Sequence, residues 1–210
     1  MLSLDWGWGG VRIDRMTRWE THPLTPARVD DFADVVNPNR RATHCWCLSH
    51  RISAKDIEAL GGTGTDQREQ AMRALAAKRD RPGVVTYADG IPVGWCSISP
   101  RTAIPRLEAS KLIGRIDDVD VWSIICVVVR SGHRRQGVTE HLINGACDYA
   151  ASRGAPAVEA HPVDAAGGRI DLTMAFVGTR AMFEACGFEV VGETKAIASK
   201  KPRLVMRRTL

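Results

Sequence analysis

Two hundred and ten residues, 44% hydrophobic and 25% charged, suit one globular domain and exclude a disordered chain, a collagen or a simple coiled coil. A chain of this size buries roughly 70% of the surface it exposes when unfolded, so its core requires neither a disulfide framework nor a structural metal. The formal charge of +5 permits a polyanionic partner without demanding one.

Residues 1–13 read as a leader rich in glycine and tryptophan, ahead of a single domain over 14–210. The leader lacks the basic, apolar and small-residue pattern of a signal peptide. The longest strongly apolar run, Ile124, Ile125, Cys126, Val127, Val128 and Val129, is far too short for a membrane helix, and the chain reads as cytoplasmic with reduced thiols. A first strand is expected over 15–22. A helix follows over 25–36, where Thr25 serves as N-cap, Pro26 takes the first helical position, and Ala27, Val29, Phe32, Ala33 and Val36 form the apolar side. Residues 37–63 are irregular, and a second helix runs over 66–78 before Pro82. Strands 83–88 and 91–99 pair as a hairpin about Asp89 and Gly90, a strong short-range turn signal.

A long connection over 100–117 carries a short helix at 106–112. The β-branched run within 119–129 predicts a strand buried on both faces. A helix over 137–153 follows, with Val138, Leu142, Ile143, Ala146, Cys147 and Ala150 on one stripe, and Gly154 stops it. The strand begun at 157–160 is expected to lie parallel to the central one. After a loop at 164–171 come a short helix over 179–186, closed by Gly187, and two final strands at 188–194 and 204–210. These elements make one α/β domain with a mixed sheet.

Chemistry concentrates where the buried strand ends. Arg130 to Gln136 form a basic turn, and Gly137 opens an amphipathic helix. A helix start offers free N–H groups and the positive end of the macrodipole, which suits a phosphate or pyrophosphate. Arg134 and Arg135 add charge and Thr139 a hydroxyl. Neither the P-loop spacing nor the dinucleotide fingerprint is present.

Arg134, Arg135, Gln136, Gly137, Val138 and Thr139 resemble the hallmark of the GNAT superfamily of acyl-CoA-dependent N-acyltransferases, Gln/Arg-x-x-Gly-x-Gly/Ala, with Thr139 in place of the final small residue. A second signature, a short aromatic-containing helix ending in Gly-Phe, matches residues 181–188, from Ala181 to Gly187 and Phe188. The resemblance covers 16–210 and is least typical at 37–80. It implies the acyl-CoA N-acyltransferase fold, a single mixed and mostly antiparallel sheet flanked by helices and split at a parallel strand pair. It also implies acetyl-CoA as cosubstrate, no metal, and direct transfer of acetyl to a primary amine on a protein or small molecule. The implied coenzyme contacts are Val127, Val128 and Val129, then Arg134, Arg135, Gln136, Gly137, Val138, Thr139 and Glu140, and Phe183 near the coenzyme sulfur. Phe183 occupies the position where many relatives have a tyrosine that protonates the leaving thiolate, a role phenylalanine cannot fill. A homodimer is the family-based expectation.

An alkyl ammonium acceptor must lose a proton before attack. Glu159 and His161, at i and i+2 beside the implied cleft, share one face and are the candidate catalytic residues. For Glu159 the competing role is a structural ion pair; for His161, a loop anchor before Pro162. Asp117, Asp118 and Asp120 either attract a cationic acceptor or cap a turn. His44, Cys45, Cys47 and His50 invite a zinc reading, but their spacing and the lack of a second cysteine pair favour packing. Trp46, Trp95 and Trp122 either fill the core or line an acceptor pocket. The basic residues of 194–210 raise a nucleic-acid-binding alternative without any accompanying motif, and Phe183 keeps open a CoA-binding protein of weak or absent activity.

Overall fold

The computed structural model describes residues 17–41, 45–52, 55, 59, 65–165 and 175–210. The leader at 1–13, the start of the first predicted strand, His44 and most of the 164–171 loop lie outside the described residues. The chain runs through β1 (Trp19–Pro23), α1 (Val29–Val36), α2 (Thr65–Ala76), β2 (Gly83–Ala88), β3 (Ile91–Pro100), α3 (Pro105–Glu108) and β4 (Trp122–Val129). It continues through α4 (Val138–Ser152), β5 (Ala157–Ala160), α5 (Arg180–Glu184), β6 (Glu189–Ala198) and β7 (Lys201–Thr209). The seven strands form one sheet in the order β1-β2-β3-β4-β5-β7-β6. Only β4 and β5 are parallel among the named pairs, as expected from the helical crossover between them.

One irregularity positions the site. In the β3–β4 ladder Ser97 pairs with Cys126 and Ile98 with Ile124, so Ile125 is an extra residue in β4. A bulge of this kind increases local twist and disrupts pairing. The β4–β5 register ends at the same place, with Ile124 opposite Ala160. Beyond it β4 runs on to Val129 while β5 ends, and the sheet opens.

Side-chain alternation builds a core on each face. On one, Val84, Cys96, Ile98, Ile124 and Val127 meet Leu142, Ile143, Ala146, Cys147 and Ala150 of α4. Full burial of each large aliphatic side chain contributes about 1.5–3 kcal/mol. The helix comes close to β1 at Gly145, where a Cβ would lie 2.7 Å from that of Thr21. On the other face Val85, Trp95 and Cys126 meet Phe32, Val36, Trp46, Leu48 and Met72. Ile125, displaced by the bulge, joins a smaller cluster with Ile104, Leu107 and Ile113.

Several boundaries differ from expectation. Residues 26–28 form a 3-10 turn before α1, and Thr25 makes no side-chain cap bond. The helix expected at 106–112 is the single turn α3. The last two strands are longer than predicted because Ser199 and Lys200, at φ 52° and 61°, form a tight turn without glycine.

Candidate active site

The turn after β4 prepares the start of α4. Residues 131–133 make a 3-10 turn, Arg135 has φ 61°, and Gly137 takes φ 85° at the N-cap. This left-handed value suits glycine and leaves the helix without a capping side chain. His141 N bonds back to Gly137 O, so the N–H groups of Val138, Thr139 and Glu140 precede the first helical donor and remain available to an anion. Arg134 Nε donates to Val129 O at 3.2 Å and Gln136 Nε2 to Gly132 O at 3.3 Å, which ties the turn to the strand end.

The backbone of β4 supplies a second set of donors and acceptors. Arg130 N bonds to Val93 O, so alternation directs Arg130, Val128 and Cys126 toward β3. Val127 and Val129 therefore turn their N–H and C=O groups away from β3, into the opening left by β5. A cavity of about 360 Å³ lies there, walled by Val127, Val128, Val129, Arg134, Thr139, Phe176 and Met182. Across the strand is a second cavity of about 430 Å³, walled by Val36, Cys45, Cys47, Ser49, His50, Ile125, Cys126, Val128 and Phe176. The two share Val128 and Phe176, so they meet at the middle of the open strand.

The second cavity is mainly apolar, and its polar end is formed by Ser49 and His50. Ser49 Oγ lies 3.3 Å from His50 Nδ1. Burial, followed by the charges of Arg203, Arg106 and Arg51, lowers the His50 pKa from 6.5 to about 4. The imidazole is therefore neutral at pH 7, with a free ring nitrogen but reduced basicity. On the same wall Cys47 Sγ is 3.7 Å from Cys126 Sγ and accepts from Trp95 Nε1 at 3.2 Å. Bonding to Cys126 and burial hold the Cys47 thiol well above its ordinary value, so it is not a thiolate nucleophile.

Glu159 and His161 do share one face, with His161 Nε2 3.9 Å from Glu159 Oε2. Neither is among the described lining residues of the two cavities. Glu159 is 2% exposed and held by cations: Arg207 donates to its Oε1 at 2.6 and 3.1 Å, and Arg101 Nη1 lies 3.6 Å from Oε2. Arg207 also bridges to Asp117, which accepts the Val119 N–H, so Asp117 both pairs and caps. His161 is equally buried, its pKa lowered to about 3 by burial and then by Arg203, Arg101 and His50. Among the described residues its Nε2 has no hydrogen-bond partner.

Phe183 is fully buried in the α4-side core, 5.1 Å from the Phe188 ring, and its neighbour Met182 reaches the cavity wall instead. Trp46, Trp95 and Trp122 are buried and belong to the cores. Cys96, Cys147 and Cys186 also pack there, whereas Cys45, Cys47 and Cys126 line the larger cavity. Among the described residues, no group of three or more His, Cys, Asp or Glu side chains is placed to hold a metal ion. The basic C-terminal segment turns part of its charge inward. Arg208 bonds to Asn144 and the Cys186 carbonyl, Lys201 to the Ala165 carbonyl, and Arg207 to the carboxylates above. Sequence reasoning missed Phe176, Met182 and the position of His50 on the wall of the larger cavity. His50 was visible only as part of a Cys/His cluster.

No curated protein sequence matches the chain. Among solved structures, it is similar to the aminoglycoside acetyltransferase AAC(6')-Ib in complex with coenzyme A, with a TM-score of 0.55 and 12% identity over 91% of this chain and 95% of that one. It is also similar to a GNAT-family acetyltransferase from Streptococcus pneumoniae (TM-score 0.53, 14% identity, 92% and 99% covered). A ribosomal-protein-alanine N-acetyltransferase from Brucella melitensis is comparably alike (TM-score 0.53, 17% identity, 91% and 99% covered). These likenesses show the fold. Among the described residues, no helix is long and apolar enough to cross a membrane. The sequence profile of the Acetyltransferase (GNAT) family matches residues 50–188, which include the open strand, the basic turn and the short helix ending in Gly-Phe, so the chain belongs to the GNAT family of acetyltransferases.

Proposed function

We propose that the protein transfers an acetyl group from acetyl-CoA directly to a primary amine, with both substrates bound together. The observation that carries this reading is the meeting of two cavities at Val128 and Phe176, one of them beneath the uncapped start of α4. The phosphate-bearing end of the coenzyme fits the N–H groups of Val138, Thr139 and Glu140 beside Arg134 and Arg135. Its amide-bearing arm fits the outward backbone groups of Val127 and Val129. The bound thioester supplies an activated acetyl group.

Val127 N–H is assigned to the carbonyl oxygen of that thioester, where negative charge develops during attack. The acceptor occupies the larger cavity. Its C–N bond forms as the C–S bond breaks, the thiolate departs with the coenzyme, and the amine proton passes to His50 or to water beside it. A thiolate with a reference pKa near 8.5 leaves without an acid, so the replacement of the family tyrosine by Phe183 is tolerable. We assign Glu159 and His161 a supporting role behind the cavity, because the ion pairs of Glu159 engage the lone pairs that a base would use.

Release of free thiol from acetyl-CoA across a panel of primary amines tests this function. Turnover with none of them, together with retained coenzyme binding, identifies the alternative, a CoA-binding protein without catalysis. The coenzyme site gives a separate expectation. Replacing Arg134 and Arg135 together by alanine raises the acetyl-CoA KM by roughly tenfold to a hundredfold with a smaller change in kcat. The parent's KM is also expected to rise with salt more steeply than the variant's. Equal salt dependence in the two proteins would remove these arginines from the phosphate site.

A further inference from the structure

We propose that the acceptor is a small hydrophobic monoamine, one amino group on a compact hydrocarbon body, seated in the larger cavity against Val36, Cys47, Ile125, Cys126 and Phe176. This class rests on the acetyl transfer proposed above and specifies its second substrate.

The wall owes its chemistry to the bulge in β4. Regular alternation would send Ile125 and Cys126 to opposite faces, yet both line the cavity together with Val128. The strand thereby presents three uncharged side chains to one space. Val36 of α1 adds a further aliphatic group, and Phe176 belongs to the wall shared with the coenzyme cavity. At about 430 Å³ the cavity has the size of a small-molecule site.

The hydrogen-bonding capacity of the sulfurs is taken up inside the wall. Cys47 donates its thiol to Cys126 Sγ at 3.7 Å and accepts from Trp95 Nε1 at 3.2 Å, while Cys45 Sγ accepts the Cys47 N–H at 3.4 Å. A thiol so engaged behaves as a small, soft hydrophobe. Bonding to a neighbouring thiol, with burial, holds both Cys45 and Cys47 well above the ordinary thiol range, so neither supplies a negative charge at pH 7. Ser49 and His50, the polar end of the described wall, bond to each other.

A hydrocarbon body placed here gains by leaving water, roughly fourfold in affinity for each buried methylene. A second ammonium would lose its water to thiols and hydrocarbon, so diamines and polyamines are selected against. A peptide or a hydroxyl-rich body brings more polar groups than Ser49 and His50 can bond. The single amino group is directed to the wall at Val128 and Phe176, where the thioester is assigned.

The test uses primary amines of matched length ending in a phenyl, a cyclohexyl, a hydroxyl or a second ammonium group, with an N-terminally blocked lysine peptide beside them. Thiol release gives kcat/KM for each, and calorimetry on the coenzyme A-loaded protein gives affinity. Each hydrocarbon end is expected to exceed the hydroxyl end by roughly tenfold or more in both readouts, with the diamine and the peptide weaker still. Equal or better performance by the hydroxyl-ended amine, the diamine or the peptide overturns the proposal. Val36→Thr puts a hydroxyl into the wall at nearly constant shape and is expected to narrow the hydrocarbon-to-hydroxyl ratio several-fold. An unchanged ratio in the folded variant would place the hydrocarbon elsewhere and reject the assigned seat. If no amine is turned over, the acetyl-transfer reading fails, and calorimetry still decides on the cavity: tighter binding of the hydrocarbon-ended amines sustains it, and equal or absent binding rejects it.

Discussion

Replacing Val127 with proline is expected to lower kcat about 100- to 1000-fold, the usual consequence of removing one donor to a developing oxyanion. The substitution is selective because of the ladder geometry. Val127 faces Cys96 across a pair in which its N–H points away from β3, so no sheet hydrogen bond is lost. Residue 126 is already extended within β4, the conformation preferred before proline. The proline ring instead fills the space in the opening where the N–H points. Val127→Ala keeps the N–H and is the matched control, expected to stay close to the parent in kcat while losing some stability through its missing methyl groups. Steady-state kinetics with a thermal unfolding curve for each variant separates the effects. A folded Val127→Pro protein with parental kcat would exclude this backbone group from catalysis.

The same stretch shows how far the sequence could be read. The β-branched run marked a buried strand, and Gly137 after a basic turn marked the helix start, because both signals are local. The opening of the sheet was not local. It depends on Ile125 having no partner in β3, and an extra residue in an unbroken apolar run leaves no trace in hydrophobic periodicity. Turn chemistry behaved likewise. Asp89 and Gly90 identified their hairpin, whereas Ser199 and Lys200 form a left-handed turn from residues that rarely do so. Buried cations were least legible, since arginine is expected at the surface. Arg101, at 1% exposure, and Arg51 lie inside because carbonyls, hydroxyls and Glu159 converge on them from distant segments. For the same reason Glu159 looked like a base. Its spacing from His161 placed both on one face, but its arginine partners become visible only once β7 lies beside β5. His50 reaches the cavity wall from a segment without regular structure, where periodicity carries no information.

The inward histidines lead to the second large effect, an acid sensitivity that begins well above the usual carboxylate range. In the folded protein His161 titrates at about 3 and His50 at about 4, against an ordinary value of 6.5 for both. Their folded values are depressed, so below 6.5 the unfolded chain binds protons that the folded chain excludes. Stability is therefore fully present above about pH 6.5 and falls as the medium is acidified toward the folded values, by up to about 1.4 kcal/mol per pH unit for each histidine. The surroundings reinforce the effect. Arg203 and Arg101 face His161 together with His50, while the nearby Glu159 carboxylate is already compensated by Arg207 and Arg101. Denaturant unfolding of the parent between about pH 7 and about pH 5 should thus show a slope approaching two protons, before most carboxylates contribute. His161→Gln removes one of them and is expected to halve that slope, whatever it does to stability at neutral pH. Parallel slopes for parent and variant would mean that His161 can be protonated in the folded state. The arginines around it would then not hold the His161 imidazole neutral across this range.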